Sequence, residues 1–491
     1  MPFGAWGFKS PLAHIRSMDH TRPVGPTAAV GRTGLSASLA CPARAEADPG
    51  NTMSRMSTPV NPLPSPPRVT ARKILGKWPV WVFPSVLVAL VSFALALVYS
   101  GGIGDPQGST HHLPVGLVNR DSGPLGGQLV HAIADAPDPQ QRVSWHILTP
   151  AQAQDMFDSG RLYGAIAVPA RFTAALTSII APAAEVTSTQ QPQVTLLTNP
   201  GAGSLASSLA TGVEQVALRA ASQSVGATLE RQLRATGATP TAAQTMLLAD
   251  PITTVTQPGH ALATRTGLGL TAFYIALLVV MSGFLGANII NGGVDSALGY
   301  APSELGPRRQ VRATVPISRV QTLLVKMVMS AVLSLVTASV VVLATAVVVR
   351  LAMPHLFLLW VFAVCASAVV GVGVQAVIAV FGGLGQVVSM FFFVALAIPS
   401  AGATIPLEAV PGFYRFLGQF EPMRQIGGGV RAIVYFDARA DAGLQRAWIM
   451  LALGLVIALV LGLGITHWYD RRGYQRIHPA ELTPPSGGPA G

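Results

Sequence analysis

Cysteine is nearly missing from this chain: there are two in 491 residues, Cys41 in a Pro- and Arg-rich N-terminal stretch and Cys365 inside a long apolar run. Residues so placed are not expected to pair, and no CxxC or Cys/His spacing offers a disulfide framework or a metal site. Charge is scarce too. Charged residues make up 11% of the sequence while half of it is hydrophobic, against roughly 25% charged in soluble globular chains. An ordinary soluble domain is excluded. Catalytic spacing is also lacking: His111, His112, His131 and His146 are scattered among turns and strands, and no Ser/His/Asp set or carboxylate pair stands out. Neither an enzyme nor a bound cofactor is expected.

Positive charge and apolar length, by contrast, are plentiful. The net charge of +11 invites a nucleic-acid reading, but ten of the 32 basic residues precede residue 80 and the rest are scattered around hydrophobic segments. That distribution signals membrane topology rather than a binding face, so the expected partner is the lipid bilayer and not nucleic acid. Residues 1–72, rich in Pro, Gly, Ser and Arg, read as a disordered cytoplasmic leader in which Met53 and Met56 are alternative starts. No signal-peptide pattern is found there. The leader's "GPTAAVGRT" (25–33) imitates a phosphate-binding loop, yet its Gly–Gly spacing is one residue too long and Arg32 replaces the required lysine. No strand precedes it either, so the chain is read as carrying no ATPase of its own.

At about 20 residues per bilayer crossing, six apolar spans are expected: 78–100, 268–290, 321–349, 356–381, 385–401 and 447–468. None contains an acidic residue, which argues against a proton-driven pump. The basic leader, the loop 291–319 and the tail 469–491 all fall on one side of such an arrangement, which should be the cytoplasmic side of a plasma membrane. Residues 101–265, with eight Arg and no Lys against ten acids, then lie outside. The expected fold is a polytopic α-helical membrane protein of six transmembrane helices. An α/β extracytoplasmic domain is inserted between the first two, and residues 268–468 form a five-helix membrane domain.

Within 101–265, "LPVGLVN", "RVSWHIL", "LYGAIAVP" and "QVTLLTN" read as strands separated by helical stretches, the pattern of βαβ units in a mostly parallel sheet. "NRDSG" (119–123) lacks the further oxygen ligands of a calcium loop. It reads as a strand-ending turn in which Asn119 and Asp121 bond to backbone and Gly123 takes a positive φ. A longer helix, about 203–236, places Leu205, Leu209, Val213, Val216 and Ala220 on one apolar face.

Polar residues within spans are pathway hypotheses by default. Lys326 lies near the cytoplasmic end of its span and is able to snorkel. Gln375 sits on a small-residue stripe with Ser367, Gly371, Ala379 and Gly383, a pattern of close helix packing. The outer segment 402–446 places Phe413, Phe416, Leu417 and Phe420 on one helical face. Ile426, Val430, Ile433 and Val434 continue an apolar face beyond Pro422. It is expected to be an interfacial or re-entrant hairpin, with Arg415, Arg424 and Arg431 at headgroup level.

Three stretches carry a family likeness: "VNRDSG" opening the external domain together with "LYGAIAVPARFTAAL" (162–176); "PISRVQTLLVKM" (316–327); and "PGFYRFLGQFEPMRQIGGGVRAIVYF", with Pro411, Pro422 and Arg431. With the span plan, residues 73–475 resemble the phage infection protein (YhgE/Pip-like) group of the type 2 ABC transporter permease superfamily, and the related nitrosoguanidine-resistance membrane proteins. The resemblance implies a permease half that forms a homodimer or heterodimer and works with a separate ABC ATPase. That subunit would contact the loop 291–319 through Arg308, Arg309, Arg312 and Arg319. The compound moved would be hydrophobic or amphipathic. Some members of the group are instead envelope receptors or scaffolds, so a non-transporting protein acting through its external domain is the competing expectation.

Overall fold

In the computed structural model of the protein the described residues are 70–476, apart from 107, 182–190, 238, 306, 403–404 and 475. Most of the leader, with its phosphate-loop imitation, Cys41, Met53 and Met56, and the tail beyond 476 lie outside them. Helix α1 (Trp78–Ile103) begins with a proline in its first turn, where no backbone N–H is required. It is apolar all round, and Trp78, Val86, Leu90 and Phe93 stand exposed. A helix apolar on every face and uncovered by protein belongs in lipid.

An α/β unit follows. Strand β1 (Leu113–Asn119) leads through α2 (Pro124–Ala134) to β2 (Val143–Leu148), and α3 (Pro150–Asp158) leads to β3 (Gly164–Val168). Helix α4 (Phe172–Ile179) precedes β4 (Gln193–Thr198); α5 (Ser204–Ala235) and α6 (Ala242–Ala249) precede β5 (Thr253–Pro258). The sheet order is β2-β1-β3-β4-β5. β1 pairs parallel with β2 and β3, β4 pairs parallel with β5, and only β3–β4 is antiparallel. Strand β5 escapes the hydrophobic pattern because it is a short polar edge strand, "TTVTQP", whose side chains are mostly exposed.

The turn after β1 is a turn, with one correction. Asn119 Oδ1 accepts from the Asp121 N–H (2.9 Å), and the Asp121 carboxylate accepts from the N–H groups of Gly126 and Thr173 (both 3.2 Å). Gly123, however, has φ −91°. What needs glycine there is space, since a Cβ would lie 2.5 Å from the Thr173 side chain. Helix α5 is corrected more deeply. Leu205, Val216 and Ala220 are exposed, and the face turned to the core carries Ala206, Ala210, Glu214, Leu218 and Ala221. Small residues let the first half of the helix come close to the sheet, and Leu218, Leu229 and Leu233 fill the core beyond them.

Glu214 is fully buried, and neither carboxyl oxygen has a hydrogen-bond partner among the described residues. One oxygen occupies the space a Cβ at residue 164 would need, which ties Glu214 to the glycine of β3. Burial raises its pKa from 4.5 to about 8.

The remaining chain is a helical bundle. Helix α7 (Thr271–Ala297) ends in a small hairpin, β6 (Ser303–Leu305) and β7 (Arg308–Gln310), before α8 (Arg319–Leu343). Helix α9 (Leu356–Phe381) packs against both and is followed by α10 (Gly385–Met390), a π-turn Phe391–Ala395 and α11 (Ala397–Ser400). Short α12 (Gly412–Leu417) leads to α13 (Pro422–Tyr435) and then α14 (Leu444–Arg471). Five helical runs among the described residues are long and apolar enough to cross a membrane: Trp78–Gly102, Thr271–Ala297, Arg319–Val348, Leu356–Ser400 and Leu444–Arg471. The protein is thus a mostly helical, multi-pass membrane protein. The 45-residue run Leu356–Ser400 contains both the fourth and fifth expected spans. It breaks at Gly382, whose φ is +59°, and Gly385 then packs back against the backbone of Ile378.

Because Glu214 is protonated in the folded chain up to about pH 8 but ionises near pH 4.5 when unfolded, the unfolded state binds fewer protons between those values. Its contribution to stability therefore falls as pH rises through that window and levels off above it. In detergent, the thermal midpoint of the wild type is expected to drop more from pH 5 to pH 8 than that of Glu214→Gln. Equal drops would contradict the placement of this carboxyl.

Candidate functional site

Two charged cavities flank the bundle. The first, about 280 Å³, lies where α7, α8, α9 and α14 converge. Lys326 Nζ donates to Asp295 Oδ1 (2.8 Å) and Asn291 Oδ1 (2.6 Å), and Arg476 grips the same Asp295 with Nη1 (2.7 Å) and Nη2 (3.2 Å). The Arg476 guanidinium also lies 4.6 Å from the centroid of the Tyr300 ring. Lys326 is only 5% exposed, so it does not snorkel; it turns inward to a carboxylate one helix away. Gln375 Nε2 donates to Ala287 O (2.8 Å) and its Oε1 has no partner among the described residues. Gly371 of α9 packs against α8, where an added Cβ would lie 3.1 Å from Ser330 Cβ. Lys326, Gly371 and Gln375 are thereby brought to one junction of α7, α8 and α9.

The four loop arginines separate. Arg308, Arg309 and Arg312 are exposed on and beside the β6–β7 hairpin, with Arg309 paired loosely to Glu304 at 3.6 Å. Arg319 instead opens α8. Ser318 caps that helix, and the N–H groups of Arg319 and Val320 each donate to the Asp470 carboxylate at 3.1 Å. Asp295 and Arg476, which complete the cluster, were missed because each read as a loop or tail charge. Their signal was an acid at the end of one apolar span and a base just beyond another.

The second cavity, about 160 Å³, lies between β3 and the segment running from 401 to α14. Its charged lining is Arg424 and Arg431 from α13, Arg446 from α14, and Glu408. The Glu408 carboxylate accepts from the Tyr163 hydroxyl at 3.1 Å. Arg431 is half-buried: Nη1 donates to Ala202 O (2.8 Å) and Nη2 to Gly402 O (3.5 Å). Arg424 donates to Gly418 O (3.2 Å), and Arg446 to Gln425 Oε1 (3.1 Å) and Gln419 O (3.4 Å). Among the described residues none of the three forms an ion pair with a carboxylate. Burial lowers the pKa of both Arg424 and Arg431, a sign that their charges are poorly compensated. The neighbouring Glu421 is occupied in capping α13, accepting from the Met423 and Arg424 N–H groups at 2.9 and 2.8 Å. Burial pushes its pKa up to about 8.

The aromatic residues of this region divide from its arginines. Phe413, Phe416 and Phe420 are 63%, 62% and 58% exposed on α12 and the turn after it. Helix α13 does not share that exposed face: Ile426, Val430 and Ile433 are buried in the bundle core. Between α9, the 385–400 run and α14 an apolar cleft of about 400 Å³ is lined by Gly373, Val377, Phe392, Gly454 and Ala458, among others. Gln425 lines both this cleft and the arginine cavity.

Arg446 and Thr466, one at each charged cavity, are both on α14. Twenty residues of helix separate them, roughly 30 Å at 1.5 Å per residue, close to the ~30 Å hydrocarbon thickness of a bilayer. A model of the family described as "Protein of unknown function (DUF3533)" matches residues 85–454, about three quarters of the chain, and the protein belongs to that family. No curated protein and no solved structure matches it.

Removing Asp295 leaves Lys326 buried without its counter-ion, a loss of about 3–5 kcal/mol for pairs of this kind. Asp295→Ala is expected to lower the thermal midpoint by several degrees in detergent, and Asp295→Leu combined with Lys326→Met to recover part of it. An Asp295→Ala protein that melts like the wild type would remove the cluster from the stability account.

Proposed function

We propose that this protein is the membrane subunit of a type 2 ABC-like exporter, a permease that moves a hydrophobic or amphipathic compound across the plasma membrane with a separate ATPase. The observation that carries this reading is mechanical. The exposed arginines of the β6–β7 hairpin continue directly into helix ends that are ion-paired to one another through Asp295, Lys326 and Arg476. A partner pushing on that hairpin would move α7 and α8 together, because a buried charge cluster resists being pulled apart. The likeness to the phage infection protein group supports the same division of labour between permease and ATPase.

In this reading the chain crosses the membrane six times, with the 356–400 run folding back at Gly382 to supply two of the crossings. The hairpin and both termini are cytoplasmic, and the α/β unit is extracytoplasmic. The second reading, an envelope receptor or scaffold, draws on the unpaired outer edges of β2 and β5, where Ile147 is exposed.

Affinity purification from mildly solubilised membranes separates the two. The wild type is expected to bring down a nucleotide-binding subunit with measurable ATP hydrolysis, and Arg308→Gln/Arg309→Gln/Arg312→Gln to lose it at least tenfold while retaining its own fold. A wild type that carries no ATP hydrolysis, or a triple variant that keeps all of it, would sink the permease mechanism.

A further inference from the structure

We propose that the arginine cavity and the apolar cleft that meet at Gln425 form a single binding site for an anionic amphiphile. Its phosphate or carboxylate head lies among Arg424, Arg431 and Arg446, and its hydrocarbon tail runs between α9 and α14. As a statement about what is moved, this rests on the permease reading; as a binding site it is tested without it.

Charge supplies the first reason. Three guanidiniums and one carboxylate line a cavity of about 160 Å³. The carboxylate is committed to the Tyr163 hydroxyl. Three guanidiniums present about fifteen N–H donors, of which five are engaged among the described residues, four with backbone carbonyls and one with the Gln425 side chain. Partly dehydrated cations in excess over carboxylate, with donors not engaged among the described residues, are the surroundings in which arginine binds phosphate or carboxylate, through paired N–H groups.

Shape supplies the second. A free inorganic anion needs the arginine cavity but not the cleft. The cleft follows α14 from Met450 to Ile465, about 22 Å of helix, longer than the ~15 Å depth of one bilayer leaflet. Its lining is overwhelmingly aliphatic and aromatic, and Gln425 is a polar residue it shares with the arginine cavity. The same Gln425 side chain accepts from Arg446 and donates to Gln419 O (2.9 Å), which holds the boundary between the charged and apolar halves in place. A molecule with charge at one end and hydrocarbon at the other matches both halves.

The test uses the purified full chain in detergent, titrated with phosphatidylglycerol, phosphatidylcholine and inorganic phosphate and read by native mass spectrometry. Phosphatidylglycerol is expected to bind at least tenfold more tightly than phosphatidylcholine. Arg424→Gln/Arg446→Gln should bring the two to parity, and lysine at both positions should keep most of the preference. Gly454→Leu, which places a side chain in the cleft without touching an arginine, should weaken both lipids. Equal binding of the two lipids to the wild type would overturn the proposal, a comparison that needs no variant to fold. So would inorganic phosphate displacing phosphatidylglycerol at equal concentration with Gly454→Leu without effect, since that describes a free-anion site. Neither transport nor an ATPase enters the assay. Lipid selectivity without a co-purifying ATPase removes the permease reading and leaves the site, and the reverse outcome removes the site alone.

Discussion

Helix α13 is held from two sides, and the organisation of the molecule depends on that double contact. One face, Ile426, Val430 and Ile433, is buried in the core it shares with α7, α9 and α14. Its C-terminal end receives the α/β unit. The Tyr435 hydroxyl accepts from the Ala272 N–H (3.1 Å) and donates to Thr266 O (3.2 Å), and His260 bridges Tyr435 O and Asp158, both at 2.8 Å. The Phe436 ring packs where Cβ atoms at Gly160 and Gly201 would otherwise stand. Arg439 adds an ion pair to Asp155 at 2.7 Å. With these contacts the sheet is docked on the bundle rather than tethered to it, and a shift of α13 would be felt on both sides.

Such docking explains why Arg431 is half-buried. Arg431 reaches across to Ala202 O at the start of α5, so it is part of the joint as well as of the cavity. At the other end of α14 the logic of charge is different. Asp295 pairs with both Lys326 and Arg476, and the Asp470 carboxylate takes two backbone N–H groups of α8. One end of the bundle is therefore cross-linked by direct ion pairs, while at the other three arginines line a cavity with one carboxylate, Glu408, and form no ion pair among the described residues. A structural cluster and a ligand-seeking cluster are expected to differ in this way.

Much of this architecture was legible in the sequence because it follows from period and length. The apolar runs read as membrane helices, and β1 to β4 read as strands alternating with helices. Other features were illegible for definite reasons. Strand β5 is polar and lies at an edge. The first half of helix α5 packs through alanine, serine and a buried Glu214, so its inward face carries little apolar signal before Leu218. The partner of Lys326 is 31 residues upstream, and Arg476 joins the same carboxylate from 181 residues away. Such pairings exist only after the helices assemble. Arg424, Arg431 and Arg446 were visible as an excess of arginine in 402–446, but composition cannot say which arginines find acids.

The proposed permease requires the two charged cavities to lie at opposite faces of the membrane, about one bilayer thickness apart along α14. Labelling single cysteines with a membrane-impermeant maleimide tests it most directly. In a background without Cys41 and Cys365, Gln445→Cys, exposed beside the arginine cavity, and Thr314→Cys, exposed in the loop beside the β6–β7 hairpin, are compared in intact and permeabilised cells. The account predicts labelling of Gln445→Cys in intact cells and of Thr314→Cys only after permeabilisation. Labelling of both positions under the same condition would contradict it.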